Sequence, residues 1–390
     1  MNVYITTQGA RIVREGRHLL VRRGRDIFRT LFVHKLKQVL IFGNVELTPA
    51  ARNMLLRYGV DTIYFTRDGR YRGRYATPEP RNVLLRKKQF KLLDDKDFGL
   101  AFTRQVVSGK LANMATLLMR IHRTRRTKAP ASRSKEIRQL VKKLDQADSV
   151  DSVRGYEGRG SALYFGCFGH GFIDAMGFSH RIRRPPTDPV NAVLSLLYTF
   201  LFNRVYAAVR AVNLDPYPGF LHTPDYGRFS LPLDLMEEFR VIIVDTLTLS
   251  LFNLNILQAD DFDVRPLLEP ETAQETDGCN PGKAGPDVTR DPFGLMQLKE
   301  NDACFDLPEQ RMEDSLRERV AQHSTRLPVR LKPEAFNRVI AHFERKLTTE
   351  FYYPPQERKI SYADALIAQA QQYRKLVEGS LETYQSLLLK

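Results

Sequence analysis

The sequence predicts an α+β protein: a small N-terminal β-sheet domain with one helix, followed by a larger all-α domain. Three observations predict it. Apolar residues alternate at strand period through the first 77 residues, Pro78 and Pro80 break the pattern, and helical periodicity then runs almost to the end.

Strands are expected at Asn2 to Thr7, Arg11 to Glu15, His18 to Arg22, Ile27 to Phe32 and Val39 to Phe42, with short polar breaks between them. Thr48 followed by Pro49 signals a helix start, because the hydroxyl can cap a free N–H and proline has none to lose. That helix carries Met54 and Leu55 inward and stops near Gly59. Asp61 to Thr66 and Tyr71 to Tyr75 flank Asp68-Gly69, a pair that accepts the positive φ of a tight hairpin turn. These elements make a domain of residues 1–77. A linker at 78–90 leads into a helical domain at 91–390, with helical patterning from about Asn82.

One stretch of that domain does not read as helix. From about 260 to 305 there are five prolines, four glycines and an excess of acid, the composition of a flexible acidic insertion. The last helix is marked by Ser361 and Asp364 at capping-box-like spacing. An apolar stripe of Leu366, Ala370, Tyr373, Val377 and Tyr384 follows, suited to a core or to docking a partner.

The chain has 390 residues, 43% of them hydrophobic, enough for a sizeable core. No N-terminal signal pattern and no apolar run long enough to span a membrane is found, so a cytoplasmic location is expected. Cys167, Cys279 and Cys304 lack a CxxC pairing, which argues for reduced thiols and against a structural zinc.

The net charge of +15 points to a polyanionic partner. It is concentrated between Arg104 and Lys143, where twelve basic residues, Lys110 among them, stand against Glu136 alone, a local net of +11. That is the electrostatic footprint of nucleic-acid binding. Part of it, Arg123 to Arg138, contains Pro130 and two serines and reads as a mobile loop.

The run GFLHTPDYGRFSLPLDLMEEFR, from Gly219 to Arg240, sets a histidine in a turn ahead of a helix that opens with carboxylates. Ser230 reads as its N-cap, with the helix beginning near Leu231. At least two of Asp234, Glu237 and Glu238 share a helix face, towards which His222 could fold back. Carboxylates with one imidazole suit Mg²⁺ or Mn²⁺. The local pattern also fits acids favoured by the helix dipole and a histidine bonded to backbone.

Two further blocks narrow the reading: RGYEGRGSALYF (Arg154 to Phe165) and RIRRPPTDPVNAVLSLLYTFL (Arg181 to Leu201). With the GFLH block they resemble the three signature blocks of the CRISPR-associated adaptation endonuclease/integrase family (Cas one), the metal-bearing subunit of spacer acquisition. Phe42 to Tyr75 resembles the family's N-terminal strand-helix-strand segment, and VSGKLANMATLLMR (Val107 to Arg120) its first long helix. The similarity covers the chain except the insertion and resumes near Leu331.

The resemblance implies a homodimer formed through the β-rich domain, and a catalytic helical domain with one Mg²⁺ or Mn²⁺ per subunit. It assigns the metal and the catalysis to Glu157, His222 and Glu237, with Asp234 as an assisting acid. Glu238 matches no ligand and reads as a solvated helix carboxylate. The implied reaction is transesterification, in which 3′-hydroxyl ends of short captured DNA join the CRISPR repeat. The implied partners are double-stranded DNA and the small ferredoxin-like second adaptation protein (Cas two). Arg183, Arg184, Arg228 and Arg240 are candidate phosphate contacts. Neutral imidazole is needed for ligation, so activity should fade in mild acid. The competing readings are a non-catalytic nucleic-acid-binding scaffold and a general nuclease of branched DNA.

Overall fold

The computed structural model describes residues 1–75, 82–182, 186–264 and 328–389. The chain first lays down β1 (Asn2–Ile5), β2 (Ala10–Glu15), β3 (His18–Arg23), β4 (Asp26–Leu31), β5 (Gln38–Phe42) and β6 (Val45–Leu47). Helix α1 (Pro49–Arg57) follows, then the hairpin β7 (Asp61–Phe65) and β8 (Tyr71–Tyr75). The strands form two four-stranded sheets, ordered β1-β5-β7-β8 and β4-β3-β2-β6. Thr48 caps α1 as its sequence demands, accepting from Ala51 N at 3.4 Å and donating to Ile12 O at 3.0 Å. The β7–β8 hairpin turns at Asp68-Gly69, with Gly69 at φ +89°.

Strand β5 explains how this lobe is joined to the rest. Every one of its residues is buried, because alternate side chains leave opposite faces of the sheet. Val39 and Ile41 enter a small core with Val3, Ile12, Val21 and Met54. Leu40 and Phe42 point the other way, into the core of the helical lobe. The Phe42 ring lies 4.8 Å from Phe65 and 5.1 Å from Phe336. Beside them Arg204 donates to Gln38 Oε1 at 2.8 Å and to Tyr4 at 2.9 Å, crossing the junction.

The helical lobe contains α2 (Val83–Leu92), α3 (Lys96–Arg125), α4 (Lys128–Lys143), α5 (Val150–Phe168) and α6 (Pro189–Ala211). It continues with α7 (Ser230–Phe239), α8 (Thr246–Asn253), α9 (Pro333–Thr348) and α10 (Tyr362–Glu378). Between α7 and α8 the chain passes without a break through π-helical turns at Arg240–Asp245. The lobe is mostly helical rather than all-α. Two short antiparallel ribbons interrupt it, β9 (Phe262–Val264) with β10 (Val329–Leu331), and β11 (Glu350–Tyr353) with β12 (Arg358–Ser361). Of the acidic segment at 260–305, residues 260–264 form a tight turn and β9, and 265–305 lie outside the described residues.

Four sequence expectations are corrected. Residues 83–90 of the expected linker belong to α2, which Asn82 caps through Leu85 N at 3.0 Å. The expected loop at Arg123 to Arg138 is helix on both sides of a short break, where Arg126 takes φ +54°. Pro130 is tolerated because it lies in the first turn of α4, where its missing N–H costs nothing, and Ile137 and Leu140 bury that helix. Tyr384 lies beyond α10, which stops at Glu378 with Gly379 in a left-handed C-terminal cap. Finally, α6 is 23 residues long and apolar enough to cross a membrane, but 78% of its most apolar stretch is buried inside the protein, as a core helix should be.

Candidate metal centre

All ten residues of α7 are buried, its three carboxylates included: Asp234 is 0% exposed, Glu237 2% and Glu238 1%. Charges removed from water need partners, and each of these three has found a different one.

Asp234 organises the histidine turn. Its Oδ2 accepts the backbone N–H of Phe220 at 2.6 Å and of Leu221 at 3.1 Å, and its Oδ1 accepts His222 N at 2.9 Å. The same Oδ1 lies 2.7 Å from His222 Nδ1. A carboxylate only accepts, so Nδ1 carries a proton, and in the neutral ring the lone pair falls on Nε2. That Nε2 sits 3.8 Å from Glu237 Oε1. Gly219 makes the approach possible, since a Cβ there would stand 2.6 Å from Ser230 Cβ. Ser230 is the first helical residue and caps nothing. The incoming chain supplies the acceptor instead, with Leu231 N donating to Pro216 O at 3.1 Å.

Glu157 comes from α5, whose start Ser149 caps through Ser152 N. Its Oε1 accepts from Ser161 Oγ at 2.8 Å and from the ammonium of Lys110 on α3. The two helices run close, because a Cβ on Gly160 would lie 2.3 Å from a Leu111 methyl. Lys110 also reaches Glu237, with Nζ 2.7 Å from Oε2, a second buried ion pair from the same ammonium. On the other side Arg240 Nε stands 3.0 Å from Glu237 Oε1, its guanidinium 4.9 Å from the centre of the Tyr198 ring.

These charges set one another. Burial alone would raise the Glu237 carboxyl, but Arg240 and Lys110, joined by His222 when its ring is protonated, hold it down to about 2. Glu157 is likewise held below its ordinary value by Lys110 against burial. Burial disfavours the Lys110 ammonium, yet Glu157 and Glu237 outweigh it and keep its pKa raised. Behind them Asp245 accepts from Tyr198 at 2.6 Å and Tyr164 at 2.7 Å, and burial pushes it up to about 6.

Glu238 corrects a further expectation, since it is not solvated. Its carboxylate accepts from Tyr384 at 2.6 Å, from Gln369 at 2.9 Å and from the backbone N–H of Leu387, fastening the C-terminal segment to α7. Arg240 is turned inward onto Glu237 and does not present its guanidinium to a phosphate. Arg228 is 4% exposed and spends its guanidinium on Thr223 O and Asp225 within the histidine turn. Arg183 and Arg184 lie outside the described residues. Asn191 has a structural role, accepting from Arg181 and from Ile182 N while donating to His180 O.

Thus Glu157, Glu237 and His222 come from three elements into one chain of contacts, Glu157 to Lys110, Lys110 to Glu237, and Glu237 to His222. Two carboxylates and an imidazole nitrogen are a donor set suited to Mg²⁺ or Mn²⁺. Among the described residues no three His, Cys, Asp or Glu side chains already converge on a common point. The Lys110 ammonium stands between the two carboxylates.

Fold and site together define a class: a two-sheet lobe fused to a helical lobe whose buried acidic helix meets a glutamate, a lysine and a histidine. The family model for CRISPR associated protein Cas1 matches residues 3–273, and the chain belongs to that family. It is 35% identical to the CRISPR-associated endonuclease Cas1 2 of Rhodospirillum rubrum, over 67% of this chain and 78% of that protein. Among solved structures it is similar to a chain of a Cas6-RT-Cas1–Cas2 complex, with TM-score 0.75 and 21% identity over 100% of this chain and 36% of that one. It is also similar to a casposase bound to integration product, with TM-score 0.73 and 18% identity over 99% and 91%. At these identities the structural likeness is one of fold.

Proposed function

We propose that this protein is a metal-dependent DNA endonuclease and integrase of CRISPR adaptation, joining 3′-hydroxyl ends of short captured DNA to the CRISPR repeat by transesterification. The observation that carries the reading is the run of contacts that links Glu157, through Lys110, to Glu237 and from Glu237 to His222 Nε2 in the protein interior. Family membership and the endonuclease names of the relatives agree with it.

Glu157, Glu237 and His222 Nε2 would hold Mg²⁺ or Mn²⁺. When bound, the ion supplies positive charge to the phosphodiester oxygens on which charge grows during displacement. The protein's own groups prepare that position. Asp234 fixes the ring and tautomer of His222. Arg240 keeps Glu237 ionised from beneath. The DNA backbone would lie along the basic face of α3 and α4, where nine of the twelve clustered basic residues are exposed. The 3′-hydroxyl attacks a phosphodiester at the repeat border, so one P–O bond forms as another breaks and no nucleotide is hydrolysed. A homodimer working with the ferredoxin-like second adaptation protein is the proposed assembly, in keeping with the Cas1–Cas2 complex among the structural neighbours.

The test is an integration assay with the small partner, a labelled duplex bearing 3′-hydroxyls, and supercoiled plasmids with an intact or scrambled repeat. Label joined at the intact repeat border in Mn²⁺ and not in EDTA supports the reading. Equal joining to the scrambled plasmid would assign the site to a general nuclease instead.

A further inference from the structure

We infer that Lys110 is the resident cation of this centre: its ammonium holds Glu157 and Glu237 together in the metal-free protein and gives up that place when a divalent ion enters. The inference rests on the metal reading above and adds a residue that reading does not use.

The first ground is position. Lys110 is the group that touches both carboxylates, Glu157 from α5 and Glu237 from α7, and its side chain is 8% exposed. A lysine so deep in a helical interior has given up its water, and these two carboxylates are what compensate it.

The second ground is contact. Nζ lies 2.7 Å from Glu237 Oε2 and donates to Glu157 Oε1, so one compact cation bridges an oxygen of each carboxylate. A divalent ion ligated by both carboxylates would need that bridging place.

The third ground is charge balance. Lys110 and Arg240 together neutralise Glu157 and Glu237, so a divalent ion entering beside both would meet strong repulsion. One cation must withdraw. Arg240 faces Glu237 from the other side, packed over the Tyr198 ring, and touches Glu237 but not Glu157. Lys110 ends in a compact point charge on a flexible four-carbon stem, with Ser161 left to hold Glu157 when it leaves. Lys110 thus preserves the spacing of the ligands between metal-binding events and lowers the affinity for the ion by competing with it.

The experiment measures Mn²⁺ binding by isothermal titration calorimetry, and melting in EDTA and in Mn²⁺, on full-length protein. Lys110→Met should melt below wild type in EDTA, recover more than wild type on adding Mn²⁺, and bind Mn²⁺ about ten-fold tighter or more, as expected when a competing charge is removed. Lys110→Gln, neutral but able to hydrogen-bond both carboxylates, should also bind Mn²⁺ tighter, and it supplies the answer if the methionine variant does not fold. Equal or weaker binding in the folded neutral variants would overturn the inference. Glu157→Gln separates the two levels. If it abolishes Mn²⁺ binding while the lysine variants match wild type, the Lys110 inference alone falls. If wild type binds no Mn²⁺ that Glu157→Gln removes, the metal centre falls and the inference with it.

Discussion

Asp234, Glu237 and Glu238 lie within five residues of one another on α7, are all buried, and differ in role only through what each touches. Asp234 holds backbone and His222, and its role is to orient the ring. Asp234→Ala should lower strand joining by about 10- to 100-fold while leaving DNA affinity near wild type, as loss of a group that orients a metal-binding histidine does. A parallel loss of DNA binding would show a collapsed site instead. Glu238 makes a different, pH-dependent contribution. Burial pushes its carboxyl up to about 7 from an ordinary 4.5, against the hydrogen bonds of Tyr384, Gln369 and Leu387. The folded protein therefore keeps a proton that the unfolded chain releases, and the stability Glu238 contributes is full below 4.5 and lost as the pH rises through 7. The gap in Tm between wild type and Glu238→Gln should be larger at about pH 5 than at about pH 8, and a gap independent of pH would refute the assignment. Glu157, His222 and Glu237 stand out in the sequence because they fall in ordered motif blocks. Lys110 does not, because a lysine counted with eleven other basic residues reads as surface charge, and only the packing of α3 against α5 turns it inward.

At the scale of elements, the site depends on two close approaches and one irregular helix. Gly160 lets α5 ride on α3, so Gly160→Leu should cost about 1–3 kcal/mol by overpacking against Leu111 and carry Glu157 away from Lys110. Urea denaturation reads the first effect and the joining assay the second; unchanged stability would mean that the helices are not in contact there. The π-helical turns after α7 bring both Arg240 and Asp245 inward, Arg240 onto Glu237 and Asp245 onto Tyr164 and Tyr198. Such turns cluster at functional sites. Nothing in the apolar run from Arg240 to Asp245, which holds no glycine or proline, announces one. Helix α4 was illegible for the opposite reason, since Pro130 and two serines weigh towards a loop until Pro130 is seen to occupy the first turn.

At the scale of the whole molecule, fold class was legible from the change of periodicity near Pro78, but the union of the two lobes was not. The run from Gln38 to Phe42 is apolar almost throughout, and period alone does not say that its two faces serve two different cores. Within the helical lobe, α3 and α4 carry exposed basic residues. Lys135, Arg138 and Lys142 are exposed along α4 at helical spacing. Their joint replacement by alanine should weaken DNA binding equally for all sequences and reduce the slope of log affinity against log salt by about 2–3. An unchanged slope would move the DNA to another face. The account stands most directly on one comparison: strand joining and DNA binding by wild type and Glu157→Ala, side by side in Mn²⁺. It predicts that joining disappears while salt-sensitive binding is kept; joining that survives the loss of Glu157 would contradict it.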